Sequence, residues 1–316
     1  MLVARQAILL KIEDTYRDDK TVPTPGTDAL LVNTIALTNA NQRMIERPVV
    51  KPTLDPLQQV FGGTMQQVQF TVEVKGSGTA GTAPEIGQAL QCCGYAEKVN
   101  ATTSVEYSAV STDHASCTIY LYQDGVLRVL RGCRGTVSFT ANTGELLMAD
   151  FTFTGHIDTP SDASPSGLQY HSTVPNAVIG LAGFKLNDGA ADKEINVGSF
   201  TVDTANNIVT PANIKDPQGY GEVLIQTRDI NGSIDPELMA LATNDFADDW
   251  MKGKTYKLNS GDIGGTAGNK VSFALPKIAI RDVAPAERDG MITETVTFGA
   301  HEGTGEDASP LVITFA

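Results

Sequence analysis

The sequence predicts a mainly β fold of the α+β class, arranged as two tandem copies with one helix flanking the strands of each. Three observations predict it. Apolar and polar residues alternate with period two in stretches spread along the whole chain. Charged residues make up only 19% while Gly, Thr and Ser are frequent, a mix suited to strands and turns rather than helical bundles. A weak internal repeat also runs through the chain in constant order.

In "QVQFTVEVKG", Val68, Phe70, Val72 and Val74 share one face and Gln67, Gln69, Thr71 and Glu73 the other, the pattern of a half-buried strand. "SCTIYLYQDGVLRVLRG" reads as a hairpin with a type I′ turn at Asp124-Gly125. In "LMADFTFTG", Leu147, Ala149, Phe151 and Phe153 oppose Met148, Asp150, Thr152 and Thr154. Further on, Val223 and Ile225 begin a strand. Val271, Phe273 and Leu275 alternate until Pro276 shifts the phase to Ile278 and Ile280, the mark of a bulge on an edge strand. Ile292, Val296 and Phe298 oppose Thr293, Thr295 and Thr297, and Leu311, Ile313 and Phe315 end the pattern.

Four matches carry the repeat. "VNTIALTNANQ" aligns with "VGSFTVDTANN" at an offset of 165 (197 less 32). "VQFTVEVKG" aligns with "VLIQTRDING" at 155 (223 less 68). Pro84-Glu85 and Pro236-Glu237 open a helix in each copy, at 152 (236 less 84), and "FTFTGH" aligns with "VTFGAH" at 145 (301 less 156). The shrinking offset describes a second copy with shorter loops. The division expected is a first domain over 1–165, with an N-terminal arm and a long loop at 43–67, a linker at 166–183 rich in Pro, Ser and Asp nearby, and a shorter second domain over 184–316.

The net charge of −14 is shared by both parts. Residues up to 170 hold 12 basic and 17 acidic side chains, and the remainder hold 11 and 20. Neither part is equipped to grip nucleic acid, which needs clustered Lys and Arg. A surface that must not adhere to DNA has this sign. No stretch has the length of a membrane span, and the opening residues lack a signal-peptide cleavage pattern, so membrane association and secretion are not expected. The four cysteines, Cys92, Cys93, Cys117 and Cys133, are then buried reduced thiols.

"EVKGSGTAGTAPEIGQALQCCGY" invites two chemical readings and supports neither. The glycine-rich turn lacks the Gly-Lys-Ser/Thr ending of a phosphate loop and the spacing of a dinucleotide fingerprint. Pro84 suits a first helical position, Glu85 complements the helix dipole, and Ile86, Ala89, Leu90 and Cys93 form an apolar face. Adjacent Cys92 and Cys93 lack metal-ligand spacing. His156 and His301 stand at matching places, each followed by an acid (Asp158, Glu302), and strand-end position is the simpler account than metal. Asp245, Asp248 and Asp249 lack calcium-loop spacing and suit a solvated helix end. No nucleophile elbow is present. No enzyme, cofactor or metal is expected.

At this point an ordered set of segments becomes specific: "LLKIEDTYRDDKTVPTPGTDALLV", "VEVKGSGTAGTAPEIGQALQCCGYAE", "TSVEYSAVSTDHASCTIYLYQDGVLRVLRGCRGTVSF" and "ADFTFTGHIDTPSDA". Through them the chain resembles the major tail tube proteins of long, non-contractile-tailed, siphovirus-type bacteriophages. The likeness covers residues from about 9 to 165; the second half enters through its likeness to the first. The resemblance implies a β-sandwich or partial barrel flanked by a helix, whose sheets join edge to edge into a ring around a pore. Rings stack through arms and the long loop into a tube in the virion tail that delivers the genome. A chain with two copies implies a trimeric, pseudo-sixfold ring. Implied partners are further copies of the chain, a tape-measure protein, and adaptors at the tail ends, with double-stranded DNA passing unbound. Synthesis in the host cytoplasm follows. The competing expectation is a tail-surface adhesin or an Ig-like carbohydrate-binding virion protein, which needs exposed aromatics; aromatics are only 6%.

Within that frame the polar strand faces are the candidates for the bore: Gln67, Gln69, Thr71, Glu73, Thr152 and Thr154 in the first copy, and Thr293, Thr295 and Thr297 in the second. Uncharged and acidic side chains let a polyanion slide. Arg43, Glu46, Arg47, Lys51 and Asp55 in the proline-bearing loop are the candidates for ring-to-ring contact.

Overall fold

A computed structural model describes residues 5–181, 183–189, 191–241, 244–303 and 309–316. The first four residues of the expected N-terminal arm thus lie outside the described residues. In the first half the elements are β1 (Gln6–Ile12), β2 (Ala29–Leu30), β3 (Val32–Ile45), β4 (Val60–Glu73), α1 (Gly87–Cys92), β5 (Tyr95–Asn100), β6 (Ser104–Ala109), β7 (Cys117–Gln123), β8 (Val126–Asn142), β9 (Met148–Ile157) and β10 (Ser161–Asp162). In the second they are β11 (Lys185–Asn187), β12 (Asp192–Glu194), β13 (Val197–Asp203), β14 (Asn206–Val209), β15 (Leu224–Arg228), β16 (Asn231–Pro236), α2 (Phe246–Met251), β17 (Thr255–Asn259), β18 (Val271–Arg288), β19 (Met291–Ala300) and β20 (Val312–Phe315). The chain is mainly β, and within one chain the sheet does not close into a barrel.

Antiparallel pairing repeats the same order twice. The first half reads β3–β4–β9–β8–β7–β1, with β2 at the end. The second reads β13–β16–β19–β18–β17–β11, with β12 at the end. Each helix falls between corresponding strands. Register fixes the equivalences. Ile35 pairs with Phe70 as Phe200 pairs with Ile234, which sets β3 on β13 at the offset of 165. Val68 pairs with Phe153 as Gly232 pairs with Phe298, which sets β4 on β16 at 164 (232 less 68).

That register corrects one alignment made from sequence. Residues 223–232 are not the counterpart of the strand at 68–76. They form β15 and the approach to β16, because the second hairpin breaks after Asp203 and continues as the separate β14–β15 pair. A second correction concerns the helices. Pro236 closes β16, and α2 starts ten residues later, where the Asp245 carboxylate caps the Asp248 N–H at 2.9 Å. In the first half Pro84 and Glu85 precede the helix rather than open it. Glu85 instead pairs with Lys75 at 3.5 Å, both buried, and accepts from the Leu31 N–H at 2.6 Å.

Other local readings agree with the structure. Asp124 and Gly125 both have positive φ, as a type I′ turn demands, and join β7 to β8. The register of β17 on β18 slips at Pro276-Lys277, the bulge signalled by the phase shift, but the strand is no edge there: β18 pairs with β17 on either side of the slip, with β20 before it and with β19 after it. Ile86, Ala89, Leu90 and Cys93 are buried, and all four cysteines are free and buried. The long loop is shorter than expected. Arg43–Ile45 and residues 60–67 belong to paired 14-residue strands, leaving 46–59 as the connection.

Three seams join the halves. The end of β8 pairs with β13, Asn142 to Ser199 through Ser138 to Asp203. β20 lies between β18 and β6. The glycine-rich turn after β4 meets the second half backbone to backbone: Gly78 N–H donates to the Gly268 carbonyl at 2.9 Å, and a Cβ on Gly76 would lie 2.1 Å from that oxygen. Those glycines serve close approach, not phosphate. One core runs through both halves, with Phe70, Phe139, Phe151, Phe153, Phe200, Phe273 and Phe298 in it. Each such ring removed from water contributes about 1.5–3 kcal/mol.

Candidate assembly surface

Paired residues lie on the same face of an antiparallel sheet, so register traces polar rows across strands. One row runs Thr34, Thr71, Asp150, Ser138, Asp203, Asn231 over β3, β4, β9, β8, β13 and β16. The next runs Glu73, Met148, Thr140, Thr201, Ser233, Thr297, Asp282 and ends on β18. A third holds Ala36, Gln69, Thr152 and Thr136, and a fourth Thr38, Gln67, Thr154 and Arg134. Together they form one polar face across eight strands, four from each half. Hydroxyls link neighbours along it: Thr34 Oγ1 donates to Thr71 Oγ1 at 2.9 Å, Thr71 to Asp150, and Thr201 meets Ser233 at 2.8 Å.

The charge on this face is acidic, from Glu73, Asp150, Asp203 and Asp282. Its one cation in these rows, Arg134, is turned into contacts with the second half. It donates to Glu222 at 2.7 Å and to the carbonyls of Val223 and His114, each at 2.7 Å.

The bore candidates divide by exposure. Gln69 and Thr295 are exposed, and Gln67, Thr71, Glu73, Thr152 and Thr297 are half-buried. Thr154 is buried beside the β14–β15 arm, which leans over that end of the face with Asn206, Ile208 and Thr210. Thr293 is 1% exposed while Ile292 is 64% exposed, so the alternation expected for β19 reverses at its start. The segment after β16 crosses there, with Glu237 bridging to Thr293. Thr154 and Thr293 are therefore buried in this chain and do not line an open surface.

Of the loop residues, Arg43 lies 4.2 Å over the Tyr220 ring, and Glu46 accepts from Gln59 at 3.5 Å. Arg47 and Asp55 are exposed and Lys51 is half-buried. Around them Val50, Leu54 and Phe61 are also exposed, the last at 58%. In the sequence the charges of this tip stand out, and its apolar side chains, without periodicity, do not.

Among the described residues, the eight-strand run that carries this face ends on two unpaired edges: the outer side of β3, and the side of β18 facing away from β19 beyond Ala279. Half-buried Ile35, Leu37 and Val283 lie on the core at these edges. Pro285, exposed, stands in the β18 stretch. Neither edge could be placed from sequence, since alternation gives a strand's faces and not its neighbours.

The groups weighed from sequence as chemical sites lie in separate surroundings. His156 is buried, its Nε2 donating to the Gly221 carbonyl at 2.9 Å; burial and the nearby Arg17 charge hold its imidazole below the ordinary value. His301 is exposed, and among the described residues no group of His, Cys, Asp and Glu gathers as metal ligands would. Burial pushes the Cys93, Cys117 and Cys133 thiols up, away from reactivity. No helix among the described residues is long and apolar enough to cross a membrane.

No curated protein matches the chain. A family model described as phage tail tube protein matches residues 3–300, nearly its whole length. The match covers far more than half of this mainly β chain, and the chain belongs to the phage tail tube protein family.

Proposed function

We propose that this structural virion protein forms the tail tube of a siphovirus-type phage by closing three chains into a pseudo-sixfold ring. Rings then stack into a conduit for the genome. The supporting observation is the polar face: eight strands wide, acidic, ending on an unpaired strand edge at each side. Joining these two edges pairs both of them and lines the closed ring with that face.

Seven candidates, Gln67, Gln69, Thr71, Glu73, Thr152, Thr295 and Thr297, then border the bore, together with Asp150, Ser138 and Thr201. A polyanion meets hydroxyls, amides and carboxylates there, and Arg288 at the β18 end is already paired with Asp235 and Glu237. We read 1–165 and 184–316 as the two tube domains, with 166–183 between them; the duplicated strand order supports this reading. Arg43, Glu46, Arg47, Lys51 and Asp55 with the 46–59 tip serve ring-to-ring contact. A tape-measure protein inside the growing tube and adaptors at its ends complete the set of partners, and synthesis takes place in the host cytoplasm.

The reading is tested by electron microscopy of purified protein at raised concentration. Rings or hollow rods with threefold end-on projections are expected. Protein that stays monomeric at all concentrations, or sixfold rings of whole chains, contradicts it.

A further inference from the structure

The chain contains, between its own halves, a copy of the contact that would join it to its neighbour. We infer that residues 284–288 of β18 pair antiparallel with residues 34–38 of β3 in a second copy of the chain, in the register of the β8–β13 seam. The inference rests on the ring reading and adds to it which residues meet.

β8 pairs with β9 as β18 pairs with β19. Val137 lies opposite Phe151 and Val283 opposite Val296, so Ser138–Asn142 correspond to Ala284–Arg288. β13 corresponds to β3 at 165, so Ser199–Asp203 correspond to Thr34–Thr38. The seam pairs Asn142 with Ser199, Thr140 with Thr201 and Ser138 with Asp203. Carried to two chains, it pairs Arg288 with Thr34, Ala286 with Ala36 and Ala284 with Thr38.

Burial supports the same conclusion. Phe200 and Val202, covered by the seam, are 2% and 0% exposed, whereas their equivalents Ile35 and Leu37 are only half-buried. On the other strand Val283, Pro285 and Glu287 replace Val137, Phe139 and Ala141. An edge that faces water before assembly must be more polar and resist promiscuous pairing, and proline and charge do this. Hydrogen bonds from Thr204 N–H to the Val137 carbonyl and from Thr143 N–H to the Gly198 carbonyl fix the alternation of the seam. They make Phe139 a hydrogen-bonding position. Pro285 in its place removes one ladder bond and leaves the others.

The hairpin tips follow the same rule. β14 and β15 of the second half rest on the first half near the end of α1, where Ile225 lies against Gly94 and Arg228 donates to the Gly94 carbonyl at 3.0 Å. Gly253 follows α2 as Gly94 follows α1, both at positive φ. The exposed ends of β3 and β4, with Met44 and Phe61, therefore seat on the next chain near Trp250 and Met251, which are 42% and 75% exposed.

The test is a disulfide. Ala36 and Ala286 fall at a non-hydrogen-bonded pair, where Cα atoms lie about 4.5 Å apart, within disulfide range. The four native thiols are buried and do not compete. In assembled, oxidised A36C/A286C protein, linked species up to a closed trimer are expected on a non-reducing gel and are lost on reduction. A36C/A284C, off by two residues, is expected to stay unlinked. As a second readout, emission of the single tryptophan, Trp250, is expected to move to shorter wavelength on wild-type assembly and less so with Phe61→Ser. Tubes that form without the A36C/A286C link, or link through A36C/A284C, overturn the register and leave the ring reading standing. Unchanged Trp250 emission in wild-type tubes overturns the seating of the tips. Wild-type protein that forms no rings removes the ring reading and this pairing with it.

Discussion

The two hairpin arms begin alike and end differently. Both follow equivalent strands and turn at a positive-φ residue, Asn41 in one and Ala205 in the other. The arm of the second half is clamped to the first half. Arg134 holds Glu222 and Val223, Tyr16 accepts from the Val223 N–H at 2.8 Å, Arg17 pairs with Asp216, and Asn206 donates to the carbonyls of Cys93 and Gly135 at 2.8 and 2.9 Å. The arm of the first half extends to an exposed apolar tip. The same local structure is thus a docked seam where the chain supplies the receiving surface and an open contact where the next chain must.

Substitution at equivalent edge positions should separate the two most sharply. Val202→Asp places a carboxylate at a fully buried seam position and is expected to destabilise the monomer by about 4 kcal/mol or more. Leu37→Asp, at the open edge, should cost about 1 kcal/mol and abolish tubes. Denaturant titration and electron microscopy read the two effects. Equal destabilisation by both would mean that the β3 edge is not open in the monomer.

Next in size, Arg134→Ala removes the clamp from the docked arm and is expected to cost about 3 kcal/mol. Limited proteolysis should then cut within 209–224 while cores of both halves persist. A milder loosening follows from His156. Its pKa in the folded protein lies below the ordinary 6.5, so the unfolded state binds more protons as pH falls through that value. Docking of the arm is fully stable above about pH 6.5 and weakens below it. Protection of 206–228 from hydrogen exchange, taken relative to the intrinsic rate at each pH, should fall between pH 7.5 and 5.5, and His156→Gln should remove most of that dependence. Smallest in the monomer, Arg47→Ala with Lys51→Ala should change stability by less than about 0.5 kcal/mol while shortening tubes, measured as rod length in micrographs.

Which parts of this were legible in the sequence follows from what side-chain patterns encode. Alternation revealed the strands around Phe70, Phe153 and Phe298 and their polar faces, because burial on one side imposes period two. The Asp124-Gly125 turn and the Pro276 bulge declared themselves through backbone chemistry. The second helix was misplaced because Pro236 fits a strand end as well as a helix start, its missing N–H costing nothing at the last ladder position. The true signal was Asp245 three residues before Asp248. The reversal at Ile292 and Thr293 depends on a segment that crosses from β16, which no local pattern announces. The β8–β13 seam was illegible for a deeper reason: strands with the same alternation are interchangeable partners until the whole sheet is assembled.

A cryo-EM reconstruction of wild-type tubes at side-chain resolution tests the central claim most directly. Three chains per ring are expected, each giving eight strands to the wall, with β3 of one chain beside the end of β18 of the next and Gln69, Asp150, Thr152 and Thr201 facing the bore. A wall lined by lysine and arginine, or β3 left unpaired on the outside of the tube, would contradict it.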